Sequence, residues 1–375
     1  MELACDPAST EHLSLSHVSR RFRQVARGHH KLWSHISGSK SLQWVNLQLT
    51  NSGNHKLSID FNAFNCTTNK DIITFATCEC AYILPPLVQH CRRWYSFKWT
   101  HDALSLVDPP SDAPKTVIRV MDSLRNLHLP SLRHLSVFHN ASDRYNDGVS
   151  ASICNTWIMP NLRSLRSGKG INKLQLCSRI TSAVLHTGTN VDSQTAAGFY
   201  YFLASAAMSD VEELLLNIGE PTPYDNEEKD PIRRTSPSMI NLCHLKSIHF
   251  KVGGSHESRS FFTRLLQILL TPSLKHLEFT IYSRHNIVPV WENLLRWFTT
   301  GEAGDEPLES AIFTFHDPWF YLSLISSIVE TLEQFMRVSR FMRFEVQQRP
   351  RIDVRFNTGA SQGTSYIYDW SKGLP

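Results

Sequence analysis

The stretch TPSLKHLEFTI (271–281) decides the fold. Leu274, Leu277 and Phe279 hold the first, fourth and sixth places of an apolar phrase whose remaining places are polar or variable. LPSLRHLSVF (129–138) repeats it with Leu132, Leu135 and Val137, as do Val211, Leu214 and Leu216, and Leu245, Ile248 and Phe250. Weaker copies are Leu162 with Leu165, Ile180 with Ala183 and Leu185, Leu308 with Ala311 and Phe313, and Phe341 with Phe344 and Val346. The last two apolar places are two residues apart, the period of a strand with one buried face. Anchors 211, 245, 274, 308 and 341 are spaced by 34, 29, 34 and 33 residues. A near-constant spacing means stacked units, each of which buries its apolar side against the next.

Helical patterns fill the gaps. Phe262, Leu265, Leu266 and Leu269 recur at i, i+3, i+4 and i+7, and so do Trp291, Leu294, Leu295 and Phe298. Each set makes one apolar stripe, and a helix this short needs a sheet to pack on. A longer helix is expected over 318–337, and others near 70–90, 146–158 and 192–207, the last capped by Asp192-Ser193. Strand alternating with helix predicts an α/β chain: an irregular leucine-rich-repeat solenoid, with a curved parallel sheet and outer helices. The step from 162 to 180 is only 18 residues, so the third unit is short.

Two stretches interrupt the rhythm. Residues 219–239 are polar, charged and proline-bearing and read as a disordered excursion, in which RRTSP offers Ser236 to a kinase. Residues 106–116 read as a second turn-rich linker. The expected organisation is a helical segment over 1–40, the repeats over 41–356 and a tail over 357–375.

Composition narrows the function. The chain has 375 residues and a net charge of +4, with no long basic run, which argues against a dedicated nucleic-acid binder. Eight cysteines are scattered, and Cys78-Glu79-Cys80 is too tight for a zinc hairpin, so no metal or cofactor is expected. The N-terminus lacks the basic-then-apolar pattern of a secretory signal, and no apolar run approaches the length of a bilayer span. A cytoplasmic or nuclear protein with no membrane contact is expected, and the sequons at Asn65 and Asn140 read as accidental. Nucleophile elbows, paired metal-binding histidines and phosphate loops are absent from the sequence. Glu212 and Glu213 are neighbours on a strand and face opposite ways. An enzyme is not expected.

The N-terminal stretch LSLSHVSRRFRQVARGHHKLWSHI (13–36) differs from the repeats. Leu15, Val18, Phe22, Val25 and Ala26 form a helical stripe, Arg20, Arg21, Arg23 and Arg27 occupy the other face, and Gly28 stops the helix. Leu32, Trp33 and Ile36 follow on a second short turn. The order Leu15, Val18, Ser19, Arg20, Phe22, Arg23, Val25, Ala26, Leu32, Trp33 resembles the C-terminal two-thirds of an F-box. That is the helical module by which substrate receptors dock on a Skp-type adaptor in cullin-based ubiquitin ligases. LQWVNLQLTNSGNHKLSIDF (42–61) resembles the two strands that follow the F-box in families expanded in mushroom-forming fungi. LPPLVQHCRRWYSFKW (84–99) is similar to their next unit, with Trp94, Phe97 and Trp99 on the repeat phrase. An F-box opens with a helix carrying Leu-Pro-x-Glu, and the twelve residues before Leu13 hold no Leu-Pro. The F-box-like segment is therefore expected to be N-terminally truncated, with a weakened adaptor contact.

The resemblance implies a non-catalytic substrate adaptor of an SCF-type ubiquitin ligase. Leu15, Val18, Phe22, Val25, Leu32 and Trp33 would meet the Skp adaptor. The polar residues between the buried leucines would meet a substrate protein: Ser136, Arg166, His249 and Glu278, then His186, Asn217, Lys251 and Thr280 one step on. Those residues project to the open, concave side because strand neighbours alternate. The alternative is a leucine-rich-repeat scaffolding protein that has lost ligase binding.

Overall fold

The computed structural model describes residues 20–38, 40–62, 80–101, 123–139, 154–168, 176, 178–187, 193–219, 239–253, 255–282, 288–299, 309–316, 330, 351–357 and 368–369. It is α/β, and it divides into two compact units, Met1–Ser178 and Arg179–Pro375. The segment at 20–40 falls inside the first.

In the first unit, helix α1 (Arg20–Gly28) leads through a 3-10 helix (His30–Trp33) into strand β1 (His35–Ser37). Then come α2 (Leu42–Asn51), β2 (Leu57–Asn62), α3 (Cys80–Val88), β3 (Trp94–His101), β4 (His134–His139) and β5 (Ser164–Ser167). The five strands lie side by side in chain order, each parallel to the last. Ile36, Ile59, Phe97, Leu135 and Leu165 sit on adjacent strands in register and are all buried. Large rings thicken this core. Trp94 stacks on Phe97 at 5.0 Å, and Trp157 meets Phe97 edge-on at 5.3 Å. The buried indole N–H groups donate to backbone carbonyls: Trp33 to Ala26 (2.7 Å) and Trp94 to Leu87 (3.2 Å). A buried indole without such a partner would be costly.

One expectation is corrected here. Residues 42–61, read as two strands, form helix α2 and strand β2. Ser41 caps the helix by accepting the Trp44 N–H at 3.4 Å. Val45, Gln48 and Leu49 are buried, a helical spacing, while Leu42 and Leu47 are about 40 % exposed. A strand would have buried alternate residues instead.

The second unit runs β6 (Ser182–His186), α4 (Ser193–Leu203), β7 (Glu213–Ile218), β8 (Ile240–Asn241), β9 (Ser247–Val252), α5 (His256–Ile268), β10 (Leu269–Leu270), β11 (His276–Tyr282), α6 (Val288–Thr299), β12 (Ser310–His316), β13 (Arg351–Asn357) and β14 (Tyr368–Asp369). Strands β6, β7, β9, β11, β12 and β13 are parallel neighbours in that order, and β14 pairs antiparallel at the end. The short β8 and β10 pair separately. The inward row Ala183, Leu214, Ile248, Leu277 and Ala311 is buried, as is Leu185, Leu216, Phe250, Phe279 and Phe313 two residues on. Helices α5 and α6 bury Phe262, Leu265, Leu266, Trp291, Leu294 and Leu295 over these rows. Phe262 lies 5.0 Å from Phe250, and Trp291 lies 4.9 Å from Phe313. Each such side chain contributes roughly 1.5–3 kcal/mol of burial.

The expected helix at 192–207 is α4 followed by a 3-10 helix at Ala206–Met208. Asp192, Ser236, the copy at Phe341–Val346 and most of 318–337 lie outside the described residues. The strand that pairs with β12 is β13, where Ile352 and Val354 stand in register with Ala311 and Phe313.

Candidate functional site

Parallel register turns scattered residues into rows. On the face of the second unit's sheet opposite the buried rungs, His186, Asn217, Lys251 and Thr280 are in register, and Thr314 extends the row. Two residues earlier, Val184, Leu215, His249, Glu278 and Ile312 form a second row. All eight residues expected to face a substrate lie on strands, opposite the buried rungs of their own unit; Arg166 is exposed, Thr280 is buried and the other six are half-buried.

The structure brings some of them into contact. Asn217 Nδ2 lies 2.8 Å from His186 Nδ1. His249 lies between Glu278 (Nδ1 to Oε2, 3.3 Å) and Thr280 (Nε2 to Oγ1, 3.2 Å). Burial, aided by the nearby Lys251 ammonium, pushes the His249 pKa down to about 4. The Glu278 carboxylate would favour a charged ring, but it is 44 % exposed and screened by water, so burial wins. A neutral imidazole satisfies both partners in one tautomer, with Nδ1–H donating to Glu278 and Nε2 accepting from the Thr280 hydroxyl. Thr280 is almost fully buried. Its hydroxyl orients His249 and offers little surface of its own.

In the first unit the corresponding row is Ser37, Asp60, Lys98, Ser136 and Arg166. Ser136 and Arg166 are register partners, and Lys98 donates to Asp60 at 3.0 Å. Lys98 and Asp60 were not among the residues picked out from the sequence. Lys98 was within reach: it stands between Phe97 and Trp99, as Ser136 stands between Leu135 and Val137.

The N-terminal site residues separate. Leu15, Val18 and the side chain of Phe22 lie outside the described residues. Val25 is 61 % exposed on α1, beside exposed Arg21 and Arg27. Leu32 is half-buried. Trp33 is 2 % exposed and packs against Trp44 at 5.7 Å. Its ring is covered within the chain, by Trp44 and by its bond to the Ala26 carbonyl, and leaves little surface for the expected direct contact.

Among the described residues no group of three or more His, Cys, Asp or Glu side chains is arranged to hold a metal ion, and no helix is long and apolar enough to cross a membrane. Burial pushes the Cys154 thiol far up, which keeps it protonated. No family model matches the chain, and no curated protein matches it.

Proposed function

We propose that the chain is a non-catalytic recognition adaptor, built as an irregular leucine-rich-repeat solenoid, that brings a substrate protein to a cullin-based ubiquitin ligase. The observation that carries the recognition half is the in-register row. Successive strands repeat one apolar phrase, so the residues between the buried positions line up into rows that carry the half-buried His186, Asn217, Lys251 and Glu278 side by side, where a partner could read them. The ligase half rests on the resemblance of residues 13–36 to an F-box, together with a helix that turns Val25, Arg20, Arg21 and Arg27 to solvent. Both halves fit a cytoplasmic or nuclear protein.

Co-expression with a tagged Skp-type adaptor tests this reading. The full chain should co-elute with the adaptor, and Val25→Glu should abolish that without changing the chain's melting temperature. A chain that never co-elutes removes the ligase half. One observation favours the second reading, a scaffolding repeat protein without ligase contact: Trp33 is buried and bonded to the Ala26 carbonyl, as it would be in a segment that only closes the β1 edge of the sheet.

A further inference from the structure

Side chains from three successive turns of the first unit converge where the chain enters its strands. His30 opens the 3-10 helix before β1, Ser52 and His55 belong to the turn between α2 and β2, and a second 3-10 helix, Cys91–Arg93, follows His90 and leads into β3. Arg93 is the hub. Its Nε donates to the His55 carbonyl at 2.9 Å, its Nη2 to the Ser52 hydroxyl at 2.7 Å, and its Nη1 lies 3.4 Å from His90 Nδ1. Ser52 is fully buried and in turn donates to the Leu49 carbonyl of α2 at 2.9 Å. On the other side of the same turn the His30 ring meets the His55 ring at 5.9 Å, and His30 Nδ1 bonds to the Asn51 carbonyl.

The three histidines differ in what they require of a proton. A guanidinium carries only donors, so the His90 nitrogen that faces it must be bare. Protonation there sets an N–H against an N–H and a cation against a cation. Burial, aided by the Arg93 charge, holds the His90 pKa below its ordinary value, so the ring is neutral at pH 7. His30 meets a carbonyl, which accepts from the neutral and the charged ring alike. His55 enters through its carbonyl and its ring face, not through a ring nitrogen. The other charged or titratable side chains on the elements packed here are Lys31 beside His30, Lys56 over the Tyr95 ring, Cys91 and Arg92 beside His90, and Arg125 and His128 on the stretch whose His128 carbonyl lies 3.8 Å from Cys91 Sγ. Residues 12–59, 80–101 and 123–139, which supply these elements, contain no Asp or Glu. Among the described residues no carboxylate pairs with His30, His55, His90 or Arg93.

We infer that His90 and Arg93 form an acid-released latch: with a neutral His90 ring they fasten the α2–β2 turn to the turn before β3, and protonation of that ring frees Arg93 and lets the α2–β2 turn open. Just beyond the turn the Ser58 N–H donates to the Ser34 carbonyl at 2.8 Å and ties β2 to the start of β1, so that bond loosens next. The sign is set by the neutral ring. The latch is at full strength above the ordinary histidine value of about 6.5 and weakens as pH falls toward the depressed value of folded His90. At pH 5.5, about one unit below the ordinary value, a single histidine can weaken it by at most about tenfold. Opening of this turn is independent of any ligase contact.

Hydrogen exchange on the full chain tests the latch, comparing pH 7.5 with pH 5.5 after correction for the intrinsic pH dependence of amide exchange. Protection of the His55 and Ser58 amides should fall by about three- to tenfold at the lower pH. His90→Gln keeps an acceptor for Arg93 and cannot titrate, so the drop should shrink to less than about twofold. Arg93→Gln lowers protection at both pH values but removes the cation that opposes a charged ring, so its drop should also shrink to less than about twofold. His249→Gln changes a histidine of the second unit and should leave the drop as it is in the parent chain. Three results overturn the latch: equal protection at the two pH values in the parent chain, a full drop surviving in His90→Gln or in Arg93→Gln, or a drop abolished by His249→Gln.

Discussion

Leu277 and Glu278 are neighbours in β11 and point to opposite faces, so truncating each to alanine tests the phase of the whole ladder. Leu277 is 2 % exposed and stands in register between Ile248 and Ala311. Removing its branch forfeits the transfer energy and leaves a cavity that the small Ala311 does nothing to fill. The series of buried Leu→Ala changes spans about 2–5 kcal/mol, and about 3 kcal/mol is expected here. For a unit of this size each kcal/mol moves the melting temperature by about 2–4 °C, so Leu277→Ala should lower it by about 6–12 °C. Glu278 is 44 % exposed, and its His249 partner is neutral near pH 7. Its truncation should cost no more than about 1 kcal/mol, a shift of a few degrees at most. Thermal unfolding followed by far-UV circular dichroism reads both, with urea unfolding as a check on the slope. If Glu278→Ala were the more damaging change, or the two were equal, β11 would be out of phase and the exposed strip would not exist.

Other outcomes follow from particular contacts. Gly219 has φ of +72°, and a Cβ there would run into the Ser258 hydroxyl. Gly219→Ala should therefore destabilise by about 1–3 kcal/mol in urea titration, partly relieved by Ser258→Gly, which opens the space without changing the φ. His249 takes up its proton at about pH 4 when folded and near 6.5 when unfolded. The unfolded state then binds more protons between those values, so stability is full above about pH 6.5 and falls as pH drops toward 4. The loss is bounded by about 3 kcal/mol and is closer to half that after solvent screening, and His249→Gln should flatten the slope of stability against pH in that window. Trp33→Ala removes a buried ring and its bond to the Ala26 carbonyl, costing about 3–5 kcal/mol, and hydrogen exchange should accelerate first in α2 and β1.

The rungs were legible because burial writes itself directly into the pattern. Leu132 with Leu135, and Leu274 with Leu277 and Phe279, need only the alternation of a strand to be placed. Helices α5 and α6 were equally plain from their i, i+3, i+4, i+7 stripes. The exposed residues of the phrase were legible as a set, but their contacts were not. The His249–Glu278–Thr280 cluster exists because two strands 29 residues apart are in exact phase, and phase appears only once the phrases are laid side by side. Helix α2 was misread because a likeness to strands outweighed its own spacing of Val45, Gln48 and Leu49. Trp33 looked like a docking residue because a tryptophan after a helix can face either way, and only its packing against Trp44 and the Ala26 carbonyl decides which.

The ladder itself can be measured directly. Glu213 on β7 and His276 on β11 are exposed, 63 residues apart in sequence, and two strands apart in one row through Ser247. With spin labels at both positions the separation should be about 10 Å between backbones, close enough for strong dipolar broadening in continuous-wave spectra. Spectra equal to the sum of the two singly labelled chains would place those strands far apart and contradict the account.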